Sequence, residues 1–205
     1  MSWYEERILP HMINFACSAS PNQKQRQKIV PEAEGEILEI GFGSGLNVPY
    51  YDRTKVRKIW ALEPSAGMRR KAQPAVDETD MDIEFIDLPG EQIPLDDNSI
   101  DTILMTYTLC TIPDTKAALE GMRRVLRPGG RLLFCEHGRA PDKNVRRWQK
   151  RLNPAWSRIA GGCNMNRDIP ALINEGGFAI KVDERMYIPG AKVLCYNYWG
   201  SAAAN

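Results

Sequence analysis

The sequence predicts an α/β fold in which a mostly parallel β-sheet carries helices on both faces. Short apolar segments of strand length alternate with segments of helical periodicity along most of the 205 residues. The first predicted strand, 36–40, runs directly into a loop with glycines at positions 41, 43 and 45. The second ends at Glu63, about 20 residues further on, a spacing typical of sheets that bind nucleotide-like ligands.

Residues 3–29 precede the first strand and have the apolar spacing of one or two amphipathic helices, the first interrupted by Pro10. We interpret them as a covering segment for the ligand site. The polar stretch 21–28 predicts a solvated helix or linker, and a basic contact to an anionic partner is the alternative.

The remaining elements of the sheet follow in order. Strands are predicted at 58–62, 83–86, 100–105 and 131–136. Ser65 is a candidate N-cap for a helix that weakens or ends at Pro74, and a second helix over 114–125 stops before the Pro-Gly-Gly of 128–130.

The C-terminal part predicts a hairpin. Segments 178–182 and 193–199 are apolar and are separated by a turn at 188–191, so we expect them to pair antiparallel. Residues 138–176, between the fifth strand and this hairpin, exceed the length of a simple crossover and are a candidate substrate-recognition insert.

Length and composition agree with a single globular domain, with 43% apolar and 26% charged residues. The 27 basic and 26 acidic side chains leave a formal net charge of +1. This balance gives no electrostatic reason to expect a nucleic acid partner, so a small-molecule substrate fits better.

Five scattered cysteines contain no CxxC pair and predict neither a disulfide framework nor a zinc site, so no metal is expected. The chain has no signal-peptide pattern and no apolar stretch of about 20 residues. We therefore expect a cytoplasmic protein without stable membrane insertion.

Four ordered motifs resemble the class I S-adenosylmethionine (SAM) dependent methyltransferases with a methyltransferase type 11 domain. They are the glycine loop, the acid after strand two, GEQIPLDDNSIDTILM (90–105) and MRRVLRPGGRLLF (122–134). The resemblance implies a Rossmann-like seven-stranded sheet with the last strand inserted antiparallel beside the fifth. It divides the chain into an N-terminal helical lid, 1–34, and a methyltransferase domain, 35–205.

A narrower resemblance rests on Cys135-Glu136-His137, Asn153-Pro154-Ala155-Trp156 and the segment 162–167. These motifs are similar to small bacterial relatives of the microsomal alkyl-thiol methyltransferases, often labelled phosphatidylethanolamine methyltransferase-like. The microsomal relatives carry an N-terminal membrane anchor, and no comparable apolar segment is visible here.

The resemblance implies SAM as cofactor and S-adenosylhomocysteine as product. Glu39 would face the methionine ammonium or the network around it, and Glu63 would bind the ribose hydroxyls. The family commonly places an aspartate near Pro89, so Gly90 and Glu91 are expected to contact adenine instead. The full set of expected cofactor residues is Glu39, Gly41, Gly43, Ser44, Gly45, Glu63, Pro64, Met68, Gly90, Glu91, Thr106 and Leu109.

His137, just past strand five, is the candidate catalytic residue, and a structural hydrogen bond is its alternative role. For Trp148 and Trp156 the alternatives are core packing, an apolar substrate wall or a membrane-surface contact. The expected substrate-binding residues are Tyr4, His11, Tyr107, Cys110, His137, Cys163 and Asn164.

Methyl transfer from SAM depends mainly on positioning, which supplies roughly 7 to 11 kcal/mol of a barrier, so no acid–base pair is required. We expect S-methylation of a small apolar thiol. N-methylation of a phospholipid headgroup, C- or O-methylation of a quinone-like or phenolic molecule, and a non-catalytic SAM sensor are the alternatives.

Overall fold

The computed structural model describes Tyr4 and residues 7–205, and its centre is one seven-stranded sheet. The strand order is β3-β2-β1-β4-β5-β7-β6. The first five are parallel, and β7 is antiparallel to both β5 and β6. The predicted fold class and the inserted last strand are therefore confirmed. The strands are β1 Gly35–Ile40, β2 Val56–Leu62, β3 Ile83–Ile86, β4 Ile100–Thr106, β5 Leu126–His137, β6 Phe178–Tyr187 and β7 Tyr196–Ala204.

Six α-helices pack around this sheet in the described residues. Ser65 and Asp114 each cap the helix that follows, because their side chains accept hydrogen bonds from Met68 N and Ala117 N. The helices are α1 Leu9–Cys17, α2 Ser20–Ile29, α3 Ala66–Asp77, α4 Thr115–Val125, α5 Lys143–Ile159 and α6 Ile169–Glu175, with short 3₁₀ turns at Val30–Glu32 and Val48–Tyr50.

The central strands are buried on both faces, which explains their nearly continuous apolar sequences. β1 lies between β2 and β4, and Glu39 is level with Ala61 and Leu104. The carboxyl ends of these three strands therefore meet at one edge of the sheet, which places the glycine loop, Glu63 and Thr106 together.

Two prolines affect the predicted helices in different ways. Arg7 is helical, Ile8 is in a turn and α1 begins at Leu9, so the interruption expected at Pro10 falls at Ile8. Pro10 itself lies in the first turn of α1, where a proline removes only an N–H that has no intrahelical partner. Of the two outcomes expected at Pro74, an end of the helix is excluded, because α3 continues through this proline to Asp77. Ala72, two residues before Pro74, is fully buried.

The polar stretch 21–28 is helical, as one of its two interpretations predicted, but it is not fully solvated. Gln25 and Arg26 are 3% and 4% exposed, while Lys24 and Lys28 face solvent. The helix α2 therefore brings a buried cation to the sheet edge.

The helix α5 is fixed by one buried polar side chain. Gln149 Nε2 donates to the carbonyl oxygens of Gly138, Met165 and Val193, and its Oε1 accepts from Ala140 N.

The opposite face of α5 leaves apolar groups in solvent. The prediction that Trp148 packs in the core is wrong, since this residue is 54% exposed. Among the described residues no helix is both long and apolar enough to cross a bilayer.

Candidate active site

The loop after β1 depends on glycine at each of its three positions. The φ angles in this loop are 71° at Gly41, 62° at Gly43 and 77° at Gly45, values that residues with a Cβ rarely adopt. A Cβ on Gly43 would have only Gly41 O and the Met68 side chain within 4 Å, so this peptide borders open space. Gly45 instead packs on Ala72 of α3.

Glu63 lies beside this loop with both carboxylate oxygens directed at main-chain donors. Oε2 accepts from Gly43 N at 2.9 Å, and Oε1 accepts from Ser65 N at 2.8 Å. Burial raises the pKa of Glu63, and these two N–H groups oppose that shift. Each oxygen retains acceptor capacity for a ligand hydroxyl.

A cavity of about 380 Å³ opens at this edge, a volume typical of small-ligand sites. Its floor is formed by the glycine loop and the ends of β2 and β4. Its other walls come from the loop after β3, the loop after β4, Gly161 and the helices α1 and α2.

The helix α1 covers the cavity with apolar side chains. Leu9, Pro10, Ile13 and Cys17 line it. The helix is attached to the glycine loop by Ser44 Oγ, which donates to Asn14 Oδ1 at 2.5 Å. This arrangement agrees with a covering segment, and its function as a moving lid stays a prediction.

A buried polar network supports the cavity beneath the methionine side of the predicted cofactor site. Arg26 Nη1 donates to Asn47 Oδ1 at 2.9 Å and to Thr106 Oγ1 at 2.7 Å. Asn47 Nδ2 and Tyr51 OH in turn donate to the two oxygens of Glu39, at 2.8 and 2.5 Å. Burial raises the pKa of Glu39 to about 7, although the two hydrogen bonds and the nearby guanidinium oppose the shift.

Sequence reasoning missed Arg26, Asn47 and Tyr51. Arg26 lies in a run of polar residues, and no pattern there marks one side chain as buried. The two other residues lie between β1 and β2, and no motif distinguishes them from ordinary loop residues.

The structure brings most of the expected cofactor residues together. Nine of the twelve line the cavity, and three do not. Glu39 is behind the wall in the network just described, and Gly45 packs against α3. The expected contact of Leu109 is not supported, because this side chain is fully buried in the apolar core. The nine are Gly41, Gly43, Ser44, Glu63, Pro64, Met68, Gly90, Glu91 and Thr106.

Of the expected substrate residues only Tyr107 lines the cavity. Its φ of 59° is unusual for a residue other than glycine, and its hydroxyl donates to Asn197 Oδ1. His11 faces solvent on α1. Tyr4 donates to the carbonyl oxygen of Ile159, outside the cavity lining.

The other four expected substrate residues lie behind the cavity wall. Asn164 N and Nδ2 both donate to the carbonyl oxygen of Cys110, at 2.9 and 3.2 Å. His137 Nε2 is 3.2 Å from Cys163 Sγ. A direct catalytic role for His137 is therefore not supported, since its ring contacts another protein side chain and does not line the cavity.

The residues present fit SAM. The open peptide at Gly43 allows a close ligand approach, and the adjacent Glu63 carboxylate can accept from ribose hydroxyls. Mainly apolar walls with few polar groups suit the adenine ring. The sheet order, the glycine loop and this acid define the class I SAM-dependent methyltransferases.

Residues 38–134 match the model of a family described as "Methyltransferase domain". The match covers just under half of the chain, and together with the fold it implies a SAM-dependent methyltransferase domain, with SAM as cofactor. The matched range runs from the second half of β1 into β5 and contains the glycine loop and Glu63.

Two curated relatives and one solved structure illustrate the similarity. Thiol S-methyltransferase TMT1B of Rattus norvegicus is 32% identical over 139 residues, which are 66% of this chain and 56% of the relative. Phosphatidylethanolamine N-methyltransferase of Cereibacter sphaeroides is 25% identical over 105 residues, 50% and 51% of the two chains. The chain thus spans about half the length of these relatives. A putative methyltransferase, solved with the Haloferax volcanii Trm112 methyltransferase activator, superimposes with a TM-score of 0.71 at 18% identity, covering 98% of this chain and 96% of that one.

The raised pKa of Glu39 predicts a pH-dependent stability. Between pH 4.5 and about 7 the folded state binds more protons than the unfolded state, so the free energy of unfolding falls as the pH rises through this window. We expect a loss of about 2 kcal/mol from pH 5.5 to 7.5, measured by urea unfolding without ligand. Glu39→Gln should reduce this loss, while Glu78→Gln, on the surface, should preserve it. An equal loss in the wild type and in Glu39→Gln would refute the assignment.

Proposed function

We propose that the protein transfers the methyl group of SAM to the thiol of a small apolar acceptor. The observation that carries this proposal is the kind of side chain that lines the cavity. Apolar groups of α1 cover the space, and the titratable lining residues of the described chain are Cys17, Arg26, Glu63, Glu91 and Tyr107.

None of these groups is a ready general base. Glu63 is assigned to the ribose hydroxyls and Glu91 to adenine, so neither carboxylate is placed at the transferred methyl group, and Glu91 Oε1 also accepts from Asp114 N at 3.2 Å. Burial raises the pKa of Tyr107 well above its usual value. An acceptor must therefore lose its proton with little help, which favours a thiol of pKa about 8.5 over a phenol or an aromatic carbon.

In such a reaction the chain's own residues bind and orient the reactants. Bound SAM supplies a methyl group on a positively charged sulfur, which a thiolate attacks in line. Glu63 and the glycine loop hold the nucleoside, while Arg26, Asn47 and Thr106 shape the wall at the other end. The apolar residues of α1 exclude water, which would compete for hydrogen bonds with the thiolate.

The test is the release of S-adenosylhomocysteine from purified protein with matched alkyl thiols, phospholipid amines and phenols. We expect release with thiols and none with the matched alcohols, increasing with pH as the thiol ionises. Release only with amines, phenols or quinone-like molecules would move the assignment to N-, O- or C-methylation. SAM binding without release from any acceptor would overturn the proposal in favour of a sensor.

A further inference from the structure

Three side chains that bind metals through nitrogen or sulfur meet behind the cavity wall. They are Cys110, in the loop after β4, His137, at the end of β5, and Cys163, in the loop after α5. One ligand atom from each lies within 4.8 Å of the others. They come from three separate parts of the chain, so their sequence spacing did not reveal the cluster.

The ligand atoms lie within about an ångström of the spacing that a zinc ion requires. With Zn–S bonds of about 2.3 Å and Zn–N bonds of about 2.0 Å, tetrahedral geometry places ligand atoms about 3.5 to 3.8 Å apart. His137 Nε2 and Cys163 Sγ are 3.2 Å apart, and Cys110 Sγ lies within the 4.8 Å limit of both. Movements of an ångström or less would centre an ion among them.

The surroundings already hold these groups in place. The two hydrogen bonds from Asn164 to the carbonyl oxygen of Cys110 join the loops that carry the two cysteines. Asn164 Oδ1 accepts in turn from Asn153 Nδ2 of α5 at 2.8 Å. Trp156 Nε1 points at Cys163 Sγ from 3.4 Å, a donor that would stabilise a thiolate ligand.

We propose that Cys110, His137 and Cys163 bind one Zn²⁺ ion and leave its fourth position to an exchangeable ligand. Two thiolates, one imidazole and an open position are the ligand set of a catalytic type of zinc site. Zinc would also connect the insert 138–176 to the sheet. The exchangeable ligand tested below is a small thiol, and because the three side chains lie behind the cavity wall, neither its binding nor the three protein ligands rest on the proposed function.

The first experiment needs no variant. Protein purified without chelator is expected to contain one zinc ion per chain by elemental analysis. After removal of zinc, Co²⁺ is expected to produce the visible absorption of a tetrahedral site and a sulfur-to-cobalt charge-transfer band. A metal-free protein that takes up neither ion under reducing conditions would overturn the proposal, as would a native disulfide between Cys110 and Cys163 found by mass spectrometry.

Matched variants then assign the ligands. Cys163→Ser and His137→Asn should weaken zinc binding by more than the 10- to 100-fold that loss of a supporting group costs. Cys195→Ser is the control, since this partly buried cysteine lies outside the cluster. Unchanged zinc affinity in both ligand variants would contradict the assignment.

Binding of a ligand at the fourth coordination position of the metal ion is measured separately. Addition of a small alkyl thiol to the cobalt protein should shift the charge-transfer band, whereas the matched alcohol should not. Absence of the shift overturns thiol coordination even if one metal ion is bound. Absence of methyl transfer from a protein with full zinc and a thiol-sensitive spectrum would instead count against the proposed function.

Discussion

Substitution Glu63→Ala is expected to weaken SAM binding about 100-fold. The carboxylate is the acceptor placed for the ribose hydroxyls, and hydrogen bonds to a charged group contribute about 1.5 to 3 kcal/mol. The change also frees the N–H groups of Gly43 and Ser65, which then no longer have a fixed acceptor beside the glycine loop. Isothermal titration calorimetry with SAM measures the effect directly.

Two further variants show whether the loss is specific to this position. Glu63→Gln keeps the shape and one carbonyl oxygen and should fall between the wild type and Glu63→Ala. Asp87→Ala removes an exposed acid just after β3, at the same edge of the sheet, and should bind SAM normally. Wild-type affinity in Glu63→Ala, with an unchanged unfolding temperature, would rule out the ribose role.

Substitution Arg26→Met is expected to destabilise the fold by about 3 to 5 kcal/mol, the usual cost of removing one member of a buried charged group. Asn47 Oδ1 would lose its donor, Thr106 Oγ1 would keep only Asn47 Nδ2, and the Glu39 carboxylate would lose its nearby cation. For a chain of this size the unfolding temperature should fall by about 10 °C. Differential scanning calorimetry is the measurement.

The exposed Lys24 on the same helix provides the matched control. Lys24→Met removes the same formal charge and adds a similar apolar side chain, so it should change the free energy of unfolding by less than about 0.5 kcal/mol. If both variants unfold at the same temperature, the network does not contribute to stability as the hydrogen bonds indicate.

The sheet could be predicted from sequence because its information is local. Each central strand is an apolar run of fitting length, and Gly41, Gly43 and Glu63 follow strands whose carboxyl ends must meet. For the same reason, most of the residues expected on the nucleoside side of the site could be proposed from the sequence.

The remaining parts of the site depend on which face of a helix packs against the sheet. The contacts of single side chains determine that face. Arg26 is buried because Asn47 and Thr106 accept from it, contacts between residues far apart in the chain. The expected substrate contact of Cys110 and Cys163 stays a prediction, and a related reason limits it. The structure places both side chains beside His137, outside the cavity lining.

The exposed face of α5 also determines how charge is distributed over the protein. Residues 143–159 contain six basic and no acidic side chains, so the rest of the chain, which has +1 in total, carries −5. Positive charge is therefore concentrated on one helix despite the near-neutral charge of the whole chain. At low ionic strength we expect the protein to orient at any negatively charged surface with α5 and Trp148 leading, and to be retained by a cation exchanger more strongly than its net charge implies.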